Sequence, residues 1–449
     1  MISRPNQDQL KVLRKRTVFM AALACLAISL ACSSIIPLST SEPPVPTPEA
    51  PLGLIVYVGN DGNVYTTDRD GKQSRPITQD ANLIPAAGQV ERLYQNPTWA
   101  PDGQHLAFVR LSLSQSGPEV SLFSVLSDGK KLVNNFTSQS FQPFYLSWSP
   151  NSQIIAFLGS DPSGMAQYLV SASGSQSKLI SSGQPYYWDW SPDSHKLIVH
   201  IGGASSANPN ARLAFIGLDA SNSIQELDLK PASFEAPAWS PAGDILALAA
   251  QNDAGNEELI LAGQDGKVKQ VLDKLNGPVD FAWSPKGVYL AYAVFDPTGS
   301  TPTVHLIIMD SAHPNLKKQI AQGGVIAFFW SPDGQKIAYF SVGSGGASAS
   351  SVQPISQRKA SADLVVRVYD RISGDIKEVA AFSPTVSFQQ ILPFYSQYQR
   401  SATIWSPDSQ NLVLSSVDSV GNNAIYTVRA DGSQFQKIAD GDLAFWSWK

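Results

Sequence analysis

The chain has 449 residues, of which 43% are hydrophobic and 15% charged, with 32 glycines and 31 prolines. This length allows two or three ordinary domains or one large repeat architecture, and the many glycines and prolines favour short strands joined by turns over long helices. The net charge is −5, and the sequence shows no basic stripe or nucleic-acid-binding motif, which argues against DNA or RNA as a partner. We therefore expect an all-β fold.

The amino-terminal segment has the layout of an export signal. Basic residues precede an apolar run from Val18 to Leu30, as in secretory signal peptides. Both cysteines of the chain, Cys25 and Cys32, lie in this segment, and the stretch Ser29-Leu30-Ala31-Cys32 resembles a bacterial lipobox. In a lipobox a lipid is attached to the cysteine and the signal is cut just before it. We predict a signal peptide over residues 1–31 and lipidation at Cys32.

Two other interpretations of this segment stay open. The run Thr17–Leu38 could remain as an uncleaved membrane anchor, since it is close to the ~20 residues that a spanning helix needs. Alternatively, the cysteines are ordinary small hydrophobic residues. All three interpretations place the folded part outside the cytoplasm, and in the first two a lipid or an anchor attaches it to a membrane.

The next segment is rich in proline, with the sequence STSEPPVPTPEAP over Ser39 to Pro51. Proline at this density favours extended polyproline geometry, so residues 32–51 are predicted to form a tether. The folded domain is expected over residues 52–449. It contains no cysteine, so its stability cannot depend on disulfides or thiolate metal sites.

The folded part is built from one repeated motif. Its clearest copy is WSPDGQKIAYF, Trp330 to Phe340, and the chain ends in the unfinished copy FWSWK. The tryptophans that open successive copies are Trp99, Trp148, Trp190, Trp239, Trp283, Trp330, Trp405 and Trp446. A period in the forties built from strands indicates a β-propeller of four-stranded antiparallel blades.

The two ends of the chain supply complementary parts of one blade. Leu54–Thr78 reads as three strands without the innermost one, whereas Leu443–Lys449 reads as an innermost strand alone. Pairing these segments would close the ring and remove two exposed sheet edges. We therefore expect eight blades, and seven if the ends do not pair.

The WSPDGxxIAF motif resembles the repeat of TolB-like propellers, a WD-repeat-like family, across essentially all of Leu52–Lys449. The resemblance implies the propeller fold but no single function, because related propellers serve as binding modules, scaffolds and regulatory domains. TolB has an additional amino-terminal α/β domain where this chain has a tether, so TolB's own role cannot be transferred. Related peptidases carry a hydrolase domain after the propeller, and here the sequence stops at Lys449.

Ser331 and Asp333 could suggest an active site, but their motif reads as a turn. Ser-Pro-Asp-Gly has the residues that a type I turn prefers, and other copies keep the turn while losing the polar groups. Alanine or lysine replaces the aspartate at Ala242 and Lys286, and serine replaces the glycine at Ser152, Ser194 and Ser409. The five histidines show no metal-ligand spacing, and no Gly-x-Ser-x-Gly motif occurs. We expect no catalytic residues, no metal and no cofactor.

The loops opposite the repeated turns vary most, and loops that vary on a fixed scaffold commonly carry recognition. Several of them are rich in aromatic side chains, with neighbouring glutamine and arginine. The residues predicted to rim the channel there are Tyr94, Gln95, Phe144, Tyr145, Tyr186, Tyr187, Tyr395, Tyr398, Gln399 and Arg400. The alternative is that these aromatics pack strands and loops against one another.

The sequence as a whole favours a non-catalytic, membrane-attached propeller that binds a protein, peptide or glycan at the cell envelope. The alternative is a glycan-active hydrolase or lyase that uses carboxylates converging in the channel, an arrangement that sequence alone does not reveal. A structural part of a larger envelope complex is a third interpretation.

Overall fold

The computed structural model describes residues 53–205, 208–219, 223–233, 235–298, 302–343 and 364–449. The predicted signal peptide and tether, with Cys32, lie outside the described residues, so cleavage and lipidation stay predictions. Within these ranges, no helix is both long and apolar enough to cross a membrane.

The fold is an all-β propeller of antiparallel sheets, as predicted. The first three sheets in chain order comprise β4 (Glu91–Trp99), β5 (His105–Ser114), β6 (Gly117–Leu126) and β7 (Val133–Ser138); β8 (Gln142–Trp148), β9 (Ile154–Asp161), β10 (Gly164–Ser171) and β11 (Lys178–Ser182); and β12 (Tyr186–Trp190), β13 (Lys196–Ile201), β14 (Arg212–Gly217) and β15 (Ile224–Glu226).

The next three sheets repeat this plan, except that in one of them two short strands, β16 and β17, share the innermost position. They comprise β16 (Lys230–Pro231), β17 (Ala238–Trp239), β18 (Ile245–Gln251), β19 (Glu257–Gly263) and β20 (Val268–Lys274); β21 (Val279–Trp283), β22 (Tyr289–Asp296), β23 (Thr303–Asp310) and β24 (Lys317–Gln322); and β25 (Val325–Trp330), β26 (Lys336–Val342), β27 (Leu364–Asp370) and β28 (Ile376–Phe382).

The last sheet joins the two ends of the chain. It contains β1 (Ile55–Gly59), β2 (Val64–Thr67), β3 (Arg75–Pro76), β29 (Asn411–Val417), β30 (Asn423–Arg429) and β31 (Gln436–Trp446). The carboxyl-terminal half of β31 pairs with β1, with Val56 opposite Phe445. The predicted closure of the ring by the two ends is therefore present.

The expected eight separate blades are corrected to seven sheets in the described part of the chain. The reason is the continuity of β31, whose first half pairs with β30 and whose second half pairs with β1. Two sequence repeats thus share one strand and merge into a sheet of six strands. A period counted along the sequence cannot show that the chain continues through a repeat boundary without a turn.

The repeated turn has the structural role predicted for Ser331 and Asp333. The amide of Gly334 donates to the carbonyl of Ser331 at 2.8 Å, and φ of Gly334 is +71°. The Ser331 hydroxyl donates to Asp333 Oδ1 at 2.5 Å and accepts from the amide of Lys336 at 2.9 Å. Both side chains are used to hold the turn.

Serine at the glycine position of this turn forms a hydrogen bond between blades, which the sequence did not indicate. Ser152, Ser194 and Ser409 have φ between +60° and +64°, a conformation that costs a residue with a Cβ about 1–2 kcal/mol. Each hydroxyl accepts a backbone N–H from the turn of the preceding blade, and for Ser409 the donor is Asp333 at 3.0 Å. A bond between blades offsets part of the backbone cost.

The repeat tryptophans lie between neighbouring blades. Several indole N–H groups donate to the carbonyl just before the tryptophan of the preceding blade. These bonds run from Trp99 to Phe445 (3.1 Å), Trp283 to Ala238 (3.2 Å), Trp330 to Ala282 (3.1 Å) and Trp405 to Phe329 (3.0 Å). A large apolar ring with a satisfied polar group suits a buried position between twisted sheets.

Candidate functional site

The connection from β28 to Trp405 folds into short helices that the sequence analysis expected to be a loop. They are α1 (Val386–Ile391), a 3₁₀ turn (Leu392–Phe394) and α2 (Tyr395–Tyr398). Thr385 caps α1 by accepting the amide of Phe388 at 3.3 Å, as serine and threonine commonly do at helix starts. We call residues 385–400 the plug, because its side chains cross the centre of the ring.

Gln397 connects the plug to two of the blades. Its Oε1 accepts from the amide of Trp188 at 2.8 Å, and its Nε2 donates to the carbonyl of Trp188 at 3.0 Å. Nε2 also donates to the hydroxyl of Tyr145 at 3.1 Å, and that hydroxyl donates to the Gln397 carbonyl at 2.9 Å. The amide side chain thus pairs with the inner edge of β12 as a neighbouring strand would.

Other polar side chains of the plug also form hydrogen bonds with backbone groups of the blades. Gln399 Nε2 donates to the carbonyl of Phe281 at 3.1 Å, and the hydroxyl of Tyr398 donates to the carbonyl of Phe144 at 3.2 Å. Innermost propeller strands have one edge without a strand neighbour, and buried backbone groups need partners. The plug supplies these partners on several blades at once.

The structure brings together seven of the ten predicted rim residues around the plug. They are Phe144, Tyr145, Tyr187, Tyr395, Tyr398, Gln399 and Arg400. The rings of Tyr145 and Tyr398 meet edge to face with centroids 4.7 Å apart. Their contacts match the alternative in which these aromatics pack against one another.

The other three predicted rim residues lie within the blades. The hydroxyl of Tyr186 donates to Gln167 Oε1 at 2.9 Å, that of Tyr94 donates to Asp80 Oδ1 at 2.6 Å, and Gln95 is half-buried on β4. Four of the ten, Tyr94, Tyr145, Tyr186 and Tyr395, are at most 5% exposed. A ligand role for the ten stays a prediction, and a ligand could reach Tyr395 only if the plug moved.

The opposite end of the channel is open. A cavity of about 570 Å³, which we call the funnel, lies on the side of the repeated turns. Its wall is formed by tryptophans and prolines of the repeat: Trp148, Trp190, Trp239, Trp283, Trp330, Trp405, Pro101, Pro150, Pro192, Pro241, Pro285 and Pro332. Trp283 and Trp330 are only half-buried, so part of each indole is accessible.

Sequence reasoning placed the binding face on the other side of the ring. The signal that could have indicated the funnel is the Trp-x-Pro spacing. A residue type that recurs at one position of each blade forms a ring around the axis, and here two such rings line one cavity. Gln399 and Arg400, two of the predicted residues, also line the funnel.

Arg400 and Asp189 form an ion pair at the base of the funnel. Arg400 Nε lies 3.1 Å from Asp189 Oδ1, and the two side chains are 19% and 12% exposed. The guanidinium also donates to the carbonyls of Trp188 (3.1 Å) and Pro237 (2.7 Å). Asp189 Oδ2 accepts the amide of Trp239 at 2.8 Å. The pair is held in place by backbone groups of two blades.

Two further carboxyl groups, those of Glu235 and Asp280, lie near this ion pair. Burial raises the pKa of Asp280 to about 7. Burial, and then the neighbouring charge of Asp280, raise the pKa of Glu235 well above its usual value, and Arg400 opposes this only weakly. The pKa of Asp189 is also raised by burial despite Arg400. Arg400 therefore pairs with Asp189 and acts weakly on Glu235, and all three carboxyl groups lie in a poorly solvated place.

Among the described residues, no group of three or more His, Cys, Asp or Glu side chains could hold a metal ion. The chemistry available at the channel is thus that of aromatic surfaces, one arginine and a cluster of buried carboxyl groups.

Fold and site together define a β-propeller whose channel is plugged at one end and open at the other. The model of the TolB beta propeller domain matches residues 87–287, which supports the predicted TolB-like propeller. No curated protein shows significant sequence similarity to the chain.

Several solved structures resemble the chain. An oligogalacturonate lyase in complex with manganese is 14% identical, with a TM-score of 0.51 over 85% of this chain and 96% of that one. TolB from Acinetobacter baumannii is 15% identical, with a TM-score of 0.36 over 80% of this chain and 82% of that one. A eukaryotic initiation factor is 12% identical, with a TM-score of 0.49 over 89% of this chain and 98% of that one. The similarity to the lyase concerns the fold alone.

Proposed function

We propose that the protein is a non-catalytic component of the cell envelope whose propeller binds a protein, peptide or glycan in the funnel. The observation that carries the proposal is an open cavity of about 570 Å³ with an aromatic and proline wall. Ligand sites in proteins are typically clefts of about 300–1,000 Å³ with mostly apolar walls and a few fixed polar groups. The ion pair of Arg400 and Asp189 supplies fixed polar groups at the base.

An extracytoplasmic location belongs to the same proposal. It is supported by the signal-like segment that ends at Cys32 and by the TolB-like match. In this proposal a lipid on Cys32 attaches the protein to a membrane. Labelling with a lipid precursor tests it: the wild type should incorporate the label and Cys32→Ser should not, and incorporation by both would contradict it.

Capture of partners from native membranes tests the funnel as the binding site. The double variant Trp283→Leu, Trp330→Leu removes half-buried indoles of the wall, and we expect it to lose the partners that the wild type retains. Phe435→Leu is the matched control, because Phe435 is a half-buried aromatic outside the funnel that stacks on Tyr426 at 5.0 Å. Equal capture by a folded double variant and the wild type would refute the funnel as the site.

A second candidate function is favoured by the carboxyl pair. A buried Glu235 beside an Asp280 with a pKa of about 7 resembles the environment in which one carboxyl acts as acid and another as base. The corresponding activity is hydrolysis or elimination on a glycan. Product release from a polysaccharide panel, abolished by Asp280→Asn, would support this candidate. No release from any polysaccharide would favour the binding function.

A further inference from the structure

We propose that the plug is a pH-sensitive gate: it stays in the channel while the carboxyl groups of Glu235 and Asp280 are protonated, and it leaves when they ionise. Such a gate would control access to the channel from the plug side, whatever the funnel binds. Its support is the attachment of the plug to one blade and a cluster of buried groups at its contact with two others.

The chain pairs with β29 at both ends of the plug. The amide of Thr385 donates to the carbonyl of Ser415 at 3.2 Å, and the amide of Val413 donates to the carbonyl of Ile404 at 2.9 Å. Between these two points the chain leaves the sheet and forms the short helices of the plug. The plug could therefore leave the channel while both of its ends stay in the blade, as in the closure of hinged segments.

Two buried carboxyl groups from different blades lie next to α2 of the plug. Glu235 lies between β16 and β17, where the innermost strand of its blade is interrupted, and Asp280 lies on β21. Glu235 is 5% exposed, and among the described residues its buried Oε1 has no hydrogen-bond partner. The Ser396 hydroxyl of α2 stabilises the charged form of Glu235, but less than burial disfavours it. A buried charge with so few partners is unfavourable, so the closed arrangement suits protonated carboxyl groups.

The surrounding groups do not reverse this preference. Arg400 lowers the pKa of Glu235 only weakly, since it is bonded to Asp189. The titratable groups around the carboxyl pair and Arg400 are Tyr187 and Asp189 on β12, His200 on β13, and Tyr395 and Tyr398 on α2. Burial raises the pKa of these tyrosines and lowers that of His200, so they are uncharged between pH 7 and 8. Burial also raises the pKa of Asp189, so variants of the pair are needed to separate its effect.

Opening of the plug would release protons. In water the two carboxyl groups would return to a pKa of about 4, so the closed state binds protons more tightly than the open one. Its stability against opening is therefore greatest below about pH 4 and falls as pH rises to about 7, the pKa of buried Asp280. Asp280 alone would raise the opening equilibrium about fiftyfold between pH 5 and pH 7.

Amide exchange of the full chain, corrected for the direct effect of pH on exchange, tests the gate. The Gln399 amide donates to the Tyr395 carbonyl at 2.8 Å and reports on the plug. We expect its protection to fall at least about tenfold between pH 5 and pH 7. Its exchange should hardly change with urea below the unfolding transition, because a local opening exposes little surface. The double variant Glu235→Gln, Asp280→Asn should reduce the fall to less than about twofold, whereas the control Asp265→Asn, at an exposed turn, should leave it unchanged.

Trypsin gives a second measurement that needs no variant. Arg400 ends the plug and is 19% exposed, so the bond after it should be cut only when the plug is out. Relative to a synthetic peptide at the same pH, we expect this cut to be about tenfold faster at pH 8 than at pH 6.

Several results would overturn the gate. They are an equal fall of protection in the double variant, protection at Gln399 that does not change with pH, and exchange at Gln399 that rises with urea as steeply as that of β26. If the double variant does not fold, Glu235→Gln alone should give a smaller fall than the wild type, and equal relative rates of trypsin cleavage at pH 6 and pH 8 would also refute the proposal. Partner capture by the funnel would be unaffected by any of these results.

Discussion

Gln397 joins the plug to the ring, and Gln397→Ala tests how much of the fold depends on that connection. The substitution removes three hydrogen bonds of the side chain: one from the amide of Trp188, one to its carbonyl and one to the hydroxyl of Tyr145. The partners lie on β12 and β8, which are far from the plug in sequence. All three partner groups would remain buried with fewer bonds than before.

The expected cost follows from these losses. A neutral hydrogen bond contributes about 1 kcal/mol net, and a buried polar group left without a partner costs about 1–3 kcal/mol. The Trp188 carbonyl keeps a bond from Arg400, and the Tyr145 hydroxyl keeps its bond to the Gln397 carbonyl. The Trp188 amide alone loses its partner. We therefore expect Gln397→Ala to lower the free energy of unfolding by about 3 kcal/mol.

Equilibrium unfolding in urea, followed by tryptophan fluorescence, measures this change. Amide exchange locates it, because the Trp188 amide should exchange faster in the variant while the amides of the outer strands keep their protection. Gln335→Ala is the matched control, since Gln335 is exposed in a repeated turn and surface substitutions usually change stability by less than about 0.5 kcal/mol. A loss as small as that in Gln397→Ala, with unchanged exchange at Trp188, would refute the idea that the plug is bonded into the ring.

Three further predictions concern charge, turns and closure. Because burial raises the pKa of Asp280 to about 7, the free energy of unfolding should fall as pH rises from about 4, where the unfolded carboxyl ionises, to 7. Between pH 5 and pH 8, Asp280→Asn should make this fall smaller by about 2–3 kcal/mol in urea unfolding, and an equal fall in the variant would contradict the argument. Ser409→Ala loses a bond between blades and keeps the strained φ of +60°, so calorimetry should show a lower Tm than for Ser409→Gly; the reverse order would refute the strain argument. Trp446→Ala, at a fully buried site in β31, should lower the free energy of unfolding in urea by about 3–5 kcal/mol. The control Trp448→Ala, at a half-buried site, should lower it by less than half as much. Similar losses in the two variants would argue against Trp446 as a core residue of the closing sheet.

The propeller could be predicted from sequence because its cause is local and repeated. Each copy carries the same turn, and the turn around Ser331 is held by side chains within six residues of one another. Because the cause of the turn is local, each copy of the motif can be recognised by itself. The spacing between copies then gives the length of one blade repeat. The pairing of β1 with β31 was also predictable, because the amino-terminal strands lack an innermost strand and the carboxyl-terminal segment supplies one.

The plug and the funnel were not predictable in this way. Residues 388–400 carry no repeat, and their partners lie on other blades more than two hundred residues away in the case of Gln397. An aromatic, glutamine-containing segment has the same composition whether it rims a channel or fills it. Thr385 could have predicted the start of a short helix, but a capping residue does not show against which blades that helix packs.

By itself the sequence determined the all-β class, the repeat that makes a propeller, the structural role of Ser331 and Asp333, and the joining of the two chain ends. Tertiary structure decided that β31 runs unbroken through two repeats, that the aromatic segment closes one end of the channel, and that buried Glu235 and Asp280 lie beside each other near the ion pair of Arg400 and Asp189. Turns and strand alternation depend on neighbours along the chain, whereas these three features depend on which blade edges and carboxyl groups meet at the axis of the ring.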